Sequence, residues 1–135
     1  VKASLTTDMT NANADVTLTA VNYGADGNRI TVTYVDPGAV SQALKVLVNG
    51  ENIIVNLATN GAGAITSICN AVVAAINAHE DAKLLVVATA EGTGLGVVNA
   101  KAIASLAGGV TCTPGVPGSA VMITGSRARK AKLQA

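Results

Sequence analysis

Residues 64–79, AITSICNAVVAAINAH, carry the pattern that most constrains the fold of this 135-residue chain. Apolar side chains recur along it at steps of three and four: Ile65, Ile68, Val72 and Ile76. That spacing is typical of a helix that buries one face. Alanines fill much of the remainder, which favours helix and permits close packing. The sequence therefore predicts one main helix over about 64–79, laid across one face of a sheet.

Five other segments have the alternating or apolar character of β-strands: 16–20, 30–34, 43–48, 52–57 and 83–88. The first two flank the glycine-rich turn 22–28, and we expect them to form a hairpin. The dipeptide Asn49–Gly50 suits a type I′ turn, so it predicts a second hairpin between 43–48 and 52–57. The last segment is continuously apolar, which indicates a central strand.

The fold class predicted from these segments is α+β, a mostly antiparallel sheet of five to six strands with one main helix (about 64–79) packed on one face. Residues 97–107 fit either a short helix or a final strand, and Val121–Thr124 fits an edge strand. The length indicates one domain. We place it at 15–110, preceded by an extended N-terminal arm (1–14) and followed by a Gly/Pro linker and basic tail (111–135).

Composition limits the core, because the chain has no Phe or Trp and its only aromatic residues are Tyr23 and Tyr34. Aromatic side chains bury about 150–250 Å² each, so a core of Val, Ile, Leu and Ala gains less per residue. Together with 14 glycines, this fits either a module stabilised by its neighbours in an assembly or a modest monomer. Both interpretations stay open at this stage.

The formal charge is unevenly distributed along the chain. Residues 1–126 hold five basic and eight acidic residues, a net charge of −3, whereas the last nine residues hold four basic ones and no acid. A basic tail can bind nucleic acid. Because no aromatic residue is interleaved with it, we interpret it as a solvated tail and do not expect nucleic acid as a partner. No run of 18 apolar residues is present, so we expect no transmembrane helix.

The residues that could carry chemistry are few, and each has a simpler role. The Gly92-x-Gly94-x-Gly96 spacing matches neither dinucleotide-binding nor P-loop motifs and indicates a mobile loop. His79, the only histidine, suits a helix C-terminus. Asp26 and Asp36 could pair across the first hairpin, but both also suit turns. We therefore expect no catalytic, cofactor-binding or metal site, no cofactor, and no enzymatic activity.

The two cysteines, Cys69 and Cys112, allow one disulfide but no disulfide framework. Cys69 falls beside the apolar stripe of the predicted helix, which indicates a buried thiol. Cys112 lies in a Gly/Pro-rich stretch. Both a free-thiol and a bonded interpretation remain open.

Two parts of the chain together resemble known proteins. Residues 16–36, VTLTAVNYGADGNRITVTYVD, contain G-x-x-G-N-x-I-x-V. This resembles the turn that recurs in contractile tail sheath proteins and other virion proteins of tailed bacteriophages. The later segments AITSICNAVVAAINAH, LLVVATAEGTGLGVV and SLAGG resemble the helix, strand, Gly-rich loop and closing Leu-x-Gly-Gly of the same modules. The resemblance covers roughly residues 15–110.

The resemblance implies a non-enzymatic structural component of a bacteriophage virion, either a tail or a capsid-decoration protein. Its partners would be copies of itself, other virion proteins or both, its location the virion, and its working parts packing surfaces. The chain is far shorter than a whole sheath subunit, so the choice between tail and capsid stays open. The alternative is a surface- or carbohydrate-recognition module on a phage fibre or cell surface, for which Tyr23 could serve as a sugar platform.

Overall fold

The computed structural model describes residues 1–111 and shows an α+β fold, as predicted. Seven strands are present in these residues, rather than five or six. The elements in chain order are β1 Ser4–Thr7, β2 Val16–Ala20, a 3₁₀ helix Ala25–Arg29, β3 Thr31–Val35, β4 Lys45–Asn49, β5 Asn52–Asn56, the main helix α1 Cys69–Ala78, the one-turn helix α2 Ala82–Leu85, β6 Val86–Ala90 and β7 Lys101–Ser105.

The strands form two sheets instead of one. A three-stranded antiparallel sheet has the order β1-β2-β6, and a four-stranded sheet has the order β4-β5-β3-β7. Only the β3–β5 pair is parallel among these strands. The sheets meet just after β7, where the Leu106 N–H donates to the Ile30 carbonyl at 2.9 Å and the Ala107 N–H donates to the Ser4 carbonyl at 3.0 Å. This segment therefore bonds to the four-stranded sheet on one side and to β1 on the other.

The predicted first hairpin is wrong. β2 pairs with β1 and β6, whereas β3 pairs with β5 and β7 in the other sheet. The connection between them contains the 3₁₀ helix, which leads the chain from one sheet to the other. Gly27 makes this passage possible, because a Cβ there would lie 2.9 Å from the Ala20 Cβ and 3.0 Å from the Ala3 Cβ.

The second hairpin is confirmed, with β4 and β5 antiparallel and Asn49 opposite Asn52. The two-residue loop is therefore Gly50–Glu51, one position later than the predicted Asn–Gly pair. Gly50 has a φ of 64°. Glu51, the second central residue, does not have a positive φ. A type I′ turn requires a positive φ at both central residues and a type II′ turn only at the first, so the turn is type II′ and the predicted type I′ turn is wrong.

The main helix is shorter than predicted because its first residues belong to strand-like bridges. Ile65 pairs with Thr59 and Ile68 pairs with Val97. The extended backbone of Ile68 (φ −93°, ψ 160°) delays the helix to Cys69. Its buried residues are Cys69, Val72 and Ile76. The spacing predicted Val72 and Ile76, whereas Ile65 and Ile68 lie before the helix and are only half-buried.

The strand predicted at 83–88 begins later and lies elsewhere in the fold. Its first residues form α2, and β6 is the outer strand of the three-stranded sheet instead of a central one. Val86 and Ala88 are buried while Val87 is 51% exposed, so the strand alternates despite its apolar sequence. Residues 97–107, left open between helix and strand, contain β7.

The first fourteen residues, expected as an extended arm, are built into the domain. Ser4–Thr7 forms β1 in antiparallel register with β2, and Ala3, Met9 and Ala14 are buried. The expectations for the C-terminal tail from residue 112 onward, including the edge strand Val121–Thr124, lie outside the described residues.

The core lies between the inner faces of the two sheets and α1, and Tyr34 is its largest fully buried side chain. The Thr7 hydroxyl donates to the Tyr34 hydroxyl oxygen at 3.3 Å, joining β1 to β3. Burial raises the pKa of Tyr34 from 10.0 to about 12, although the Thr7 hydrogen bond partly opposes the shift.

Stability should therefore fall between pH 10 and 12. The folded state favours the neutral phenol. Its contribution to the free energy of unfolding is therefore complete below pH 10 and is lost as pH rises through the folded pKa. The two-unit shift corresponds to about 2–3 kcal/mol of unfolding free energy. Denaturant titrations at several alkaline pH values would measure it. The Tyr34→Phe variant should lose this component, and an unchanged pH dependence in that variant would contradict the assignment.

Candidate interaction surface

The outer face of the four-stranded sheet carries a row of largely apolar side chains across all four strands. The register places Leu47 opposite Ile54, and Ile54 beside Thr33. The pairing of β3 with β7 is irregular between Val32 and Tyr34, so Ala102 and Ile103 both lie opposite Thr33. Leu47 is 38% exposed and Ile103 is 60% exposed. We call Leu47, Ile54, Thr33 and Ile103 the outer row.

The outer row exists because the middle strands are apolar on both faces. In β5, Ile53 and Val55 point into the core and are fully buried, which leaves Ile54 on the opposite face. A sheet with one solvated face normally alternates apolar and polar residues. Consecutive apolar residues at 53–55 therefore place an apolar side chain on the outer face as well as on the inner one. Polar residues border the row on β4 and β5: Lys45, Asn49, Asn52 and Asn56.

The outer edge of β6, unlike this face, is covered by a side chain of the same chain. The Asn77 side chain of α1 donates to the Ala88 carbonyl at 2.9 Å and accepts from the Ala88 N–H at 2.8 Å. The amide thus forms the two hydrogen bonds that a neighbouring strand would form. Natural sheets commonly cover their edges in this way to prevent unwanted strand pairing. Strand addition at the middle of β6 would require Asn77 to leave.

The glycine loop expected to be mobile is tied to the rest of the fold. The Cys69 N–H donates to the Gly96 carbonyl and the Asn70 N–H to the Gly94 carbonyl, both at 2.9 Å, while the Gly96 N–H donates to the Asn13 carbonyl at 3.0 Å. The loop carbonyls therefore satisfy two of the first N–H groups of α1. Those donors are not free for a phosphate, which is the group that helix N-termini commonly bind.

The turn residues that carry the phage resemblance contact its closing segment. The Asn28 side chain donates to the Gly109 carbonyl at 3.0 Å and accepts from the Gly109 N–H at 2.8 Å. A Cβ at Gly109 would overlap the Gly24 carbonyl oxygen. The G-x-x-G-N turn and the Leu-x-Gly-Gly end thus form one structural unit, although 81 residues separate Asn28 from Gly109.

His79 lies at the end of α1, as predicted, but its Nδ1 bonds to the start of α2 and not to the last carbonyls of α1. Its backbone caps α1. Its Nδ1 atom accepts from the Asp81 N–H at 3.1 Å and the Ala82 N–H at 3.2 Å, at the start of α2. These hydrogen bonds stabilise the turn between the two helices.

The suggested pairing of Asp26 with Asp36 required the first hairpin, which the structure does not contain. Asp26 lies 3.5 Å from the Arg29 guanidinium. Asp36 accepts from the Gly38 N–H at 2.9 Å. Each carboxylate thus serves its own turn, as the simpler interpretation had it.

Cys69 is a fully buried thiol, as predicted. Its Sγ donates to the Asp15 carbonyl at 3.2 Å, and burial raises the pKa of the thiol. A buried thiol of raised pKa is a weak nucleophile. Cys112 lies outside the described residues, so the possible disulfide stays a prediction. Across residues 1–111, no three His, Cys, Asp or Glu side chains are grouped to hold a metal ion.

Tyr23, the residue proposed as a sugar platform, is 75% exposed. The Lys2 ammonium lies over its ring, 4.9 Å from the centroid, a distance at which a cation is attracted to the ring face. Val1 and Val110 are exposed at the same corner, where the Val1 carbonyl accepts from the N–H groups of Gly24 and Val110. No sequence pattern predicts this clustering, because it depends on contacts between the two ends of the described chain.

Comparison with known proteins gave no relative: no family model, curated protein or solved structure matches the chain significantly. Within the part of the chain that the structure covers, none of the helices has the length and apolar character needed to span a bilayer.

Replacing Gly96 by alanine should destabilise the protein, because the added Cβ would overlap the Ala12 carbonyl oxygen. Overpacking of this kind costs about 1–3 kcal/mol. Gly61→Ala is the matched control, since a Cβ at Gly61 meets nothing within 4 Å and neither glycine has a positive φ. Denaturant unfolding of both variants measures the difference. Equal stability of the two variants would show that the loop is not packed as described.

Proposed function

We propose that the protein is a non-enzymatic structural component of a bacteriophage virion, a tail or capsid-decoration protein. It acts by packing against copies of itself, against other virion proteins, or both. The proposal combines the resemblance of residues 15–110 to phage virion modules with the presence of a suitable packing surface. The outer row is the observation that carries it.

The outer row suits protein–protein packing in its chemistry and position. Leu47 and Ile103 lie toward the two edges of the sheet, and Ile54 and Thr33 connect them. Fully burying an exposed Leu or Ile side chain contributes about 1.5–3 kcal/mol. A contiguous apolar surface with a polar border is typical of an interaction site. No charged side chain interrupts the row.

The contact between Asn28 and Gly109 also supports the proposal. The two segments that resemble phage modules are distant in sequence yet bond to each other through both backbone groups of Gly109. Two parts of the resemblance are therefore packed together in the fold, which is consistent with the proposal.

The alternative, carbohydrate recognition, would rely on a single exposed ring. Tyr34, the other aromatic residue of the chain, is buried in the core. Lys2 already lies over the Tyr23 ring. Sugar binding would therefore require Lys2 to move or the opposite ring face to be used. The packing function also accounts for the apolar residues of the outer row, which sugar binding at Tyr23 does not.

A charge placed in the outer row should weaken self-association. We expect light scattering of the wild-type protein across a concentration series to give a mass above the 13.3 kDa of one chain. In the Ile103→Asp variant, association should weaken at least about tenfold, equivalent to 1.4 kcal/mol, because the carboxylate would have to be desolvated at the contact.

Leu95→Asp is the matched control, because Leu95 is 65% exposed, close to the 60% of Ile103, but lies on the glycine loop. Its association should equal that of the wild type. A strictly monomeric wild-type protein would remove self-assembly from the proposal. Equal weakening by both substitutions would remove the outer row as its site.

A further inference from the structure

A shallow pocket of about 70 Å³ lies beside the 3₁₀ helix, on a different part of the molecule from the outer row. Its apolar lining comes from β2, from Ile30 just before β3, and from α2. The lining residues are Ala20, Asn22, Asp26, Gly27, Ile30, Glu51, Leu84 and Leu85. Leu84 is 65% exposed although it lines this concave site. The volume suits one aliphatic side chain rather than a cofactor-sized ligand, which needs about 300–1,000 Å³.

The rim of the pocket has an excess of negative charge. Asp26 and Glu51 line it, and Arg29 lies within 3.5 Å of both carboxylates. Glu80 and Asp81 directly precede α2, whose Lys83 is the only base of that helix. These elements together hold four acids and two bases. The site therefore favours an apolar group carried on a basic segment.

The chain itself contains such a segment. Residues 1–111 have a net charge of −3, whereas residues 112–135 have a charge of +4. The apolar run Val121–Ile123 lies just before the basic residues, which are Arg127, Arg129, Lys130 and Lys132. The C-terminal segment thus offers the two chemical features that the pocket and its rim require.

The described chain ends close to this pocket. The Thr111 hydroxyl accepts from the Ala25 N–H at 2.9 Å, and the next residue, Asp26, lines the pocket. Residues 112–120, CTPGVPGSA, separate this anchor from the apolar run. Nine residues can span up to about 30 Å, which is ample for a return to the adjacent site.

We infer that the pocket binds the C-terminal segment of its own chain, with one apolar side chain of Val121–Ile123 in the pocket and the basic residues near Asp26, Glu51, Glu80 and Asp81. Tethering raises the effective concentration of the segment to the millimolar range, so a weak contact suffices. The inference concerns a contact within one chain and does not depend on the proposed virion function.

Disulfide trapping in the full-length protein tests the inference. In a Cys112→Ser background, Leu84→Cys is combined with Met122→Cys, and the yield of the cross-link within one chain is measured by peptide mass after mild oxidation. The control pair is Leu95→Cys with Met122→Cys, because Leu95 and Leu84 are both 65% exposed. Cys69 remains in place, since it is buried.

We expect the Leu84 pair to cross-link about tenfold more than the control pair, because docking raises the local concentration of the segment. The excess should decrease at about 1 M salt, where the Debye length is about 3 Å. It should also decrease when the four basic tail residues are replaced by glutamine.

Equal yields from the two pairs would overturn the inference. So would a Leu84 cross-link that forms only between chains when isotopically labelled and unlabelled proteins are mixed, since that result assigns the pocket to the tail of another copy. Equal yields would leave the mass of the assembly untested, so that failure is distinguishable from a failure of the proposed function. A cross-link only between chains would instead move the contact to a second copy, and the Ile103→Asp variant would still test the outer row separately.

Discussion

A small two-sheet domain must cover the edges of its sheets, and this is the main constraint on the fold. The pair of hydrogen bonds between Asn77 and Ala88 covers one such edge. Through residues 106–107 the strands run in one continuous order, β6-β2-β1 and then β7-β3-β5-β4. The helix α1 packs on β6 and also contacts β4, the two ends of this order. A buried N–H or carbonyl left without a partner costs about 1–3 kcal/mol, and Asn77 satisfies one of each.

Covering this edge removes the middle of β6 as a site for strand addition by other proteins. A free strand edge binds another strand through its backbone groups, with little selectivity for sequence. A sheet face binds through side chains, so its sequence can select the partner. With Asn77 bonded to Ala88, the outer row of the four-stranded sheet becomes the more suitable contact surface, and its apolar residues account for a strand sequence that the core alone does not require. This is the physical basis of the packing function that we propose.

Local features of the fold could be predicted from sequence, but long-range features could not. The stripe of Val72 and Ile76 and the turn signal at Gly50 depend on neighbours in sequence, so the helix and the second hairpin are found, although the loop is Gly50–Glu51. The pairing of β2 with β1 and β6 depends on distant segments. Ile68 has the spacing of a helical residue but pairs with Val97, and this tertiary contact shortens the helix. The apolar run 83–88 divides between α2 and an edge strand for the same reason.

For the candidate surfaces too, features that depend on neighbouring residues could be predicted from sequence, and features that depend on distant segments could not. The consecutive apolar residues Ile53, Ile54 and Val55 are a sequence signal for the outer row, because one of the three must face outward in a strand. The role of Asn77 and the pocket beside the 3₁₀ helix have no such signal, since both depend on contacts between elements far apart in the chain. The buried Cys69 and the helix-end position of His79 are local and were predicted.

The most direct test of the account is hydroxyl-radical footprinting of the wild-type protein at low and high concentration. This measurement reports which side chains become covered on association. We predict that Leu47 and Ile103 lose reactivity as concentration rises, while Leu95 and Val87, exposed at 65% and 51%, keep theirs. Protection of Leu95 or Val87 with no change at the outer row, or no concentration dependence at any of these residues, would contradict it.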